Sequence, residues 1–156
     1  MTGGFAIRRA SREDHAAVSR ELVAYLAFIG DEMDPDGLDH DIAHWEEQYG
    51  GRSGALLLVV DGSGDVVGTA AVRVLEPGTA ELKRMWLRPA TRGQGLGQRL
   101  LEACFEEAWR LGCRAMRLDT QAKLEAALKL YRANDFREIP VYNDNRRADI
   151  WMERPL

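Results

Sequence analysis

Residues 80–97 read Ala80-Glu-Leu-Lys-Arg-Met-Trp-Leu87-Arg-Pro-Ala-Thr-Arg92-Gly-Gln-Gly-Leu-Gly97. A strand-like segment, Ala80 to Leu87, closes at Arg88-Pro89 and gives way to the glycine loop Arg92-Gly93-Gln94-Gly95-Leu96-Gly97. Leu96, Leu100, Leu101, Cys104, Ala108 and Leu111 then recur at helical spacing. Glycines let the backbone curl so that successive N–H groups converge, and a helix N-terminus adds its own unpaired N–H groups and the positive end of its dipole. The natural occupant of such a nest is a phosphate.

Three phosphate loops compete for this pattern. The P-loop needs Gly-Lys followed by Ser or Thr, and here Gly97 is followed by Gln98 and Arg99. The dinucleotide fingerprint G-x-G-x-x-G fails from Gly93, which would require glycine at Gln98, and from Gly95, which would require it at Leu100. The pattern Q/R-x-x-G-x-G/A fits without a gap. The plain alternative is a tight strand-to-helix turn, which would need neither three alternating glycines nor the leading arginine.

Strict alternation falters in the strand before the loop. Leu82 has even parity, whereas Met85 and Leu87 have odd parity. One extra residue, a β-bulge, would return all three to a single apolar face.

The loop, the preceding ELKRMWLRP and the later LKLYRANDF (Leu128 to Phe136) together resemble the GNAT superfamily of N-acetyltransferases, over nearly the whole chain from FAIRRASREDH onward. The resemblance implies an α/β (α+β) fold with a mixed, mostly antiparallel, splayed central sheet and helices on both faces. Its expected order is strand, two helices, three strands, helix, strand, helix and two strands. It also implies acetyl-CoA as co-substrate, with its pyrophosphate in the loop and its pantetheine arm lying as a pseudo-strand in the splay.

Composition sets the outer bounds. A chain of 156 residues with 46% hydrophobic residues reads as one folded domain, 1–156, with a sizeable core. The longest apolar run, Ala55 to Val60, is too short to span a membrane, so a soluble, cytoplasmic protein is expected. Cys104 and Cys113 read as reduced structural residues, and three scattered histidines give no metal-site spacing, so no metal is expected. No basic nucleic-acid footprint is present. From Glu21 to Gly51 there are nine acidic residues and no Lys or Arg, leaving 21 basic against 16 acidic residues elsewhere. The block from Asp31 to Asp41 reads either as bait for a cationic amine or as a solvated face.

Along the chain, Phe5 to Ala10 is a first strand, and Ser11 with Asp14 is a capping-box start to a helix through Val18, Leu22, Tyr25, Leu26 and Ile29. A second helix runs roughly from Leu38 to Tyr49. Ala55–Val60, Val66–Leu75 and Ala80–Leu87 form an antiparallel meander with a turn at Asp61-Gly-Ser-Gly-Asp65. Cys113–Asp119 is a strand, Ala122–Asn134 a helix, and Phe136–Ile139 and Ala148–Met152 are the last two strands.

Moving an acetyl group from a thioester to an amine needs a base for the ammonium, N–H donors for the developing oxyanion and an acid for the departing thiolate. The resemblance makes Tyr131 the acid, since the family places a tyrosine here opposite the thioester sulfur. It makes Glu81 the base, acting through water, with Asp31–Asp41 or Asp144 as substitutes. It assigns Met85 as the backbone oxyanion donor and Leu87 to the pantetheine. It assigns Arg92, Gly93, Gln94, Gly95, Leu96, Gly97 and Gln98 to the pyrophosphate. Arg84, Arg99 and Lys123 read as solvated charge, with other cofactor phosphates as the second reading. Trp86 reads as core. Two departures stand out: Asp135 replaces the family's glycine before Phe136, and Leu124 replaces its asparagine. The acceptor is expected to be a small, cationic primary amine, or the amino group of an amino acid, entering near the acidic block, Tyr142 and Asn143. A homodimer is implied only by the family. A non-catalytic acyl-CoA sensor and an acetyltransferase of protein N-termini or lysines are the competing functions.

Overall fold

The computed structural model describes residues 4–156; Met1 to Gly3, part of the expected 1–156 domain, lie outside it. Its centre is the expected meander of β2 (Gly54–Val60), β3 (Val66–Glu76) and β4 (Thr79–Leu87), all antiparallel. The Asp61 carboxylate closes the first turn, accepting from the N–H groups of Ser63 at 2.9 Å and Asp65 at 3.0 Å. With β1 (Ala6–Arg9), β5 (Ala115–Thr120), β6 (Arg137–Glu138) and β7 (Ile150–Pro155), the strands form one seven-stranded sheet in the order β1-β2-β3-β4-β5-β7-β6. All pairs are antiparallel except β4 with β5.

Helices cover both faces. On one face α4 (Leu96–Arg110) and α5 (Glu125–Ala133) bury Leu100, Leu101, Cys104, Leu128 and Tyr131 against Val72, Leu82, Met116 and Leu118. On the other, α1 (His15–Ile29), α2 (His40–Ala43) and α3 (Trp45–Tyr49) bury Val18, Leu22, Trp45 and Tyr49 against Leu56, Leu58 and Ala71. The expected second helix is thus two short ones. His44, at φ −123° and ψ 37°, breaks it, and the break lets Asp41 meet Arg84 while Trp45 and Tyr49 pack beneath the sheet. Periodicity cannot register such a long-range demand.

The bulge in β4 is present. Thr69 lies opposite Trp86 and Ala71 opposite Lys83, so Arg84 and Met85 together face Ala70. The inserted residue is Arg84, with φ +57°, and Thr69 Oγ1 donates to its carbonyl at 2.8 Å. Leu82, Met85 and Leu87 consequently all pack on the α4 face.

Asp135 keeps the helix ending that its glycine-free sequence had put at issue. It adopts φ +67°, and Phe136 N–H reaches back to the Tyr131 carbonyl at 3.1 Å. A non-glycine residue in this region carries a steric cost of about 1 kcal/mol, lowest for Asp and Asn. Asp135→Gly is therefore expected to raise stability by about 0.5–1 kcal/mol, or roughly 1–4 °C in Tm for a domain of this size. Thermal denaturation checks this; an unchanged or lower Tm would show that the aspartate makes up its strain elsewhere.

Candidate active site

The loop between β4 and α4 is built around unpaired donors. Helix α4 starts at Leu96 with Gly95 as its N-cap, so its first N–H groups lack an i−4 acceptor. The first backbone bond after the loop is Arg99 N–H to Gly95 O, and the last before it is Arg92 N–H to Pro89 O. Between them, none of the N–H groups of Gly93 to Gln98 has an acceptor among the described residues. Gly93 and Gly95 sit at φ +79° and +77°, in the left-handed region that favours glycine. A Cβ at either would meet nothing within 4 Å, so the space beside the loop is open. At Gly97 a Cβ would press on Leu130 Cδ2 at 3.3 Å, so this glycine serves packing between α4 and α5.

Arg92 does not join the nest. Its N–H is spent on Pro89, its Nε donates to Leu87 O at 3.1 Å, and its guanidinium lies 4.7 Å from the Phe28 ring centroid. Arg92 fastens the loop to α1. Gln94 and Gln98 likewise turn their side chains to the protein, toward Thr91 O and Asn134 respectively, leaving only their N–H groups.

Below the loop the sheet splays. Strands β4 and β5 pair only at Thr79–Ala115, Ala80–Met116 and Glu81–Arg117, after which both continue unpaired to each other. Arg88 N–H bonds Val67 O at 2.9 Å, so by the alternation of an antiparallel ladder the backbone groups of Leu87 face away from β3 and into the fork. A cavity of about 310 Å³ opens here, walled by β4, β5, α5, the end of α1 and residues 143–148.

Tyr131 lines this cavity. Its ring is buried edge-on against Phe136, with centroids 5.7 Å apart. Its hydroxyl has no hydrogen-bond partner, and no buried side-chain polar atom among the described residues is left unpartnered; the hydroxyl therefore opens on the cavity. Burial, then the Tyr25 and Asp119 groups nearby, push its phenol well above the ordinary value, so it stays protonated. Leu124 lines the same wall, replacing a polar contact with an apolar one.

Glu81 is placed differently from its expected role. It is buried and off the cavity wall, with Oε1 held by Arg73 Nη2 at 3.0 Å and Oε2 accepting from Tyr142 Oη at 2.7 Å. Both oxygens are occupied. Asp119, which the sequence reading passed over, sits two residues beyond the last β4–β5 pair and lines the cavity. Its Oδ2 accepts from Asn143 Nδ2 at 2.6 Å, and its Oδ1 has no donor among the described residues. The available signal was parity: Met116 and Leu118 face the core, so Arg117 and Asp119 face the opposite side, at the carboxyl end of a strand.

The acidic block is only partly solvated: Asp39 and Asp41 are buried, whereas Asp31, Glu32 and Asp36 are exposed. Arg84, expected at the surface, is buried and bonds Asp39 Oδ1 at 2.9 Å, Asp41 Oδ2 at 3.1 Å and Leu38 O at 3.0 Å. Arg147 reaches Asp31 at 2.8 Å and Asp39 at 2.7 Å, and Tyr49 donates to Asp41. Burial alone would raise the Asp39 and Asp41 carboxyls, but these arginines outweigh it and hold both below the usual carboxylate range. Lys123 and Arg99 are tied to the carbonyls of Ile29 and Phe5, at 2.7 and 3.3 Å. Trp86 is core, with the Phe28 and Tyr25 rings tilted against it at centroid distances of 5.5 and 5.8 Å.

Residues 17–136 match the model of the acetyltransferase (GNAT) family. The chain belongs to the GNAT family of acetyltransferases. An uncharacterised N-acetyltransferase of Schizosaccharomyces pombe is 32% identical over 122 residues, covering 78% of this chain and 75% of that one. The fold is that of a GNAT-family acetyltransferase from Staphylococcus aureus, with TM-score 0.88 and 19% identity over 97% of this chain and 99% of that one. The PaiA N-acetyltransferase of Thermoplasma acidophilum, solved with coenzyme A, matches with TM-score 0.74 and 17% identity over 98% and 99%. No described helix of this GNAT chain is long and apolar enough to cross a membrane, and the described residues contain no group of three or more His, Cys, Asp or Glu placed to hold a metal.

Proposed function

We propose that this acetyltransferase carries an acetyl group from acetyl-CoA to the primary amine of a small molecule, by direct transfer with both reactants held in the fork. The observation that carries the reading is the run of unpaired N–H groups from Gly93 to Gln98 at the mouth of a splayed sheet, with the free Tyr131 hydroxyl further in. Donors of that number, at positive-φ glycines with open space beside them, fit a pyrophosphate.

When bound, acetyl-CoA supplies the thioester carbonyl that the amine attacks. The chain's residues do the rest. Gly93 to Gln98 hold the pyrophosphate, and Leu87 N–H and the Met85 backbone position the arm and receive charge at the carbonyl oxygen. Asp119 Oδ1 receives the acceptor's ammonium and takes its proton; Tyr131 Oη donates a proton to the departing sulfur. Glu81 takes a positioning role, anchoring Tyr142 and Arg73. The acceptor arrives as a cation at its amine, drawn by Asp119; in the block from Asp31 to Asp41, the Asp31, Asp39 and Asp41 carboxylates are held by Arg84 and Arg147.

Calorimetric titration with acetyl-CoA, followed by thiol-release assays with a panel of amines, tests the reading; no binding by the folded protein would overturn it. Asp119→Asn keeps an oxygen for Asn143 and is expected to lower kcat/KM for the amine roughly 10- to 100-fold at pH 7. The deficit should shrink as pH approaches the amine's own pKa of about 10, where no base is needed. A deficit independent of pH would remove Asp119 from the proton's path.

A further inference from the structure

We infer that the acceptor carries a carboxylate on the same small molecule as its amine, and that Lys83 is the residue that selects for it. The inference rests on the acetyltransferase reading and concerns the far end of the same cavity.

Four basic side chains line the cavity: Arg73, Lys83, Arg84 and Arg147. Arg84 and Arg147 are satisfied by Asp31, Asp39, Asp41 and two backbone carbonyls. Arg73 gives Nε and Nη2 to Glu81 Oε1. Lys83 is the exception. Its side chain is only 17% exposed, yet its Nζ makes no hydrogen bond among the described residues; Glu81 Oε1, at 3.9 Å, is beyond that reach. Glu81 is already shared between Arg73 and Tyr142, so Lys83 has only a long ion pair to a carboxylate whose two oxygens are both hydrogen-bonded elsewhere. A half-enclosed ammonium whose nearest carboxylate lies at ion-pair but not hydrogen-bond distance has donors left for an acceptor from outside.

The opposite wall carries the complementary group. Glu81 and Arg117 are paired neighbours on β4 and β5, and Lys83 and Asp119 are the next residues along each strand on that same face. They therefore flank the fork where it starts to open, one presenting an ammonium with no hydrogen bond and the other a carboxylate oxygen with no donor among the described residues. Strands begin about 5 Å apart and widen from there, a gap suited to a short molecule with opposite charges at its two ends. With its ammonium on Asp119, an amino acid places its carboxylate toward Lys83. A plain alkylamine would leave Lys83 unmatched.

The test compares acceptors that share one amine: common α-amino acids, β-alanine and γ-aminobutyrate, each beside its carboxamide and its decarboxylated amine. Thiol release is followed at saturating acetyl-CoA for the native enzyme, Lys83→Met and Lys83→Arg. The native enzyme is expected to favour the acid over its carboxamide roughly 10- to 100-fold in kcat/KM, although the amide's amine gives up its proton more easily. In Lys83→Met that ratio should fall to about one; in Lys83→Arg, which keeps the charge, most of it should remain. The ratio is internal to each variant, so partial loss of folded protein does not disturb it. Equal use of acid and amide by the native enzyme, or an unchanged ratio in Lys83→Met, overturns the inference and leaves the acetyltransferase standing. Acetyl-CoA bound but no thiol released with any amine overturns the enzyme reading itself, and the inference with it.

Discussion

Tyr131→Phe is expected to lower kcat on the order of 10²- to 10³-fold while leaving acetyl-CoA affinity within about twofold. The hydroxyl has no partner among the described residues, so its removal breaks no hydrogen bond among them, and the ring keeps its edge-on contact with Phe136. Stability should shift by no more than about 0.5 kcal/mol. What disappears is the proton held next to the departing sulfur. Burial raises the phenol above its ordinary value, so the native enzyme should show no loss of rate from phenol ionisation anywhere below about pH 10. Steady-state kinetics beside a calorimetric titration decide the matter. An unchanged kcat would reduce Tyr131 to a packing residue, and a non-catalytic acyl-CoA sensor would show no rate to lose.

Gly95→Val should weaken acetyl-CoA binding by about 100-fold or more. Two effects combine. A β-branched residue at φ +77° is strained by about 1–2 kcal/mol, which disturbs the aim of the flanking N–H groups. The added methyls also project into open space, where the protein itself offers no resistance and the pyrophosphate would lie. If the loop were only a strand-to-helix turn, the substitution would still lower Tm by a few degrees but leave affinity untouched. The comparison of melting and titration therefore separates the two readings; intact binding in a destabilised variant would end the case for an anion nest.

Much of this architecture was readable because it is written locally. The glycine loop, the turn at Asp61–Asp65 and the helical stripe from Leu96 to Ala108 each follow from residues within a few positions of one another. Even the bulge showed itself as a parity slip between Leu82 and Met85. The identity of the inserted residue carried more meaning than parity could convey. Arg84 looked like surface charge because Asp39 and Asp41, the partners that bury it, lie 45 and 43 positions away. The same distance in sequence hid the break at His44. Glu81 was favoured by its place on the splayed strand, yet its partners Arg73 and Tyr142 could be seen only once the sheet and the C-terminal loop were assembled. Asp119 was one acidic residue among 25 until the pairing of β4 with β5 set it at the edge of the fork.

The nest is made of backbone N–H groups alone, with the side chains of Arg92, Gln94 and Gln98 all turned elsewhere. Every acyl-CoA presents the same pyrophosphate, so on the proposed reading such a grip would hold the handle of the donor and be blind to its cargo. Choice among acetyl, propionyl and longer chains would then fall to the walls of the cavity beyond it, where Met85, Leu118 and Leu124 stand. On that reading, donor preference could drift by changes at the cavity wall with the hold on coenzyme A left as it is.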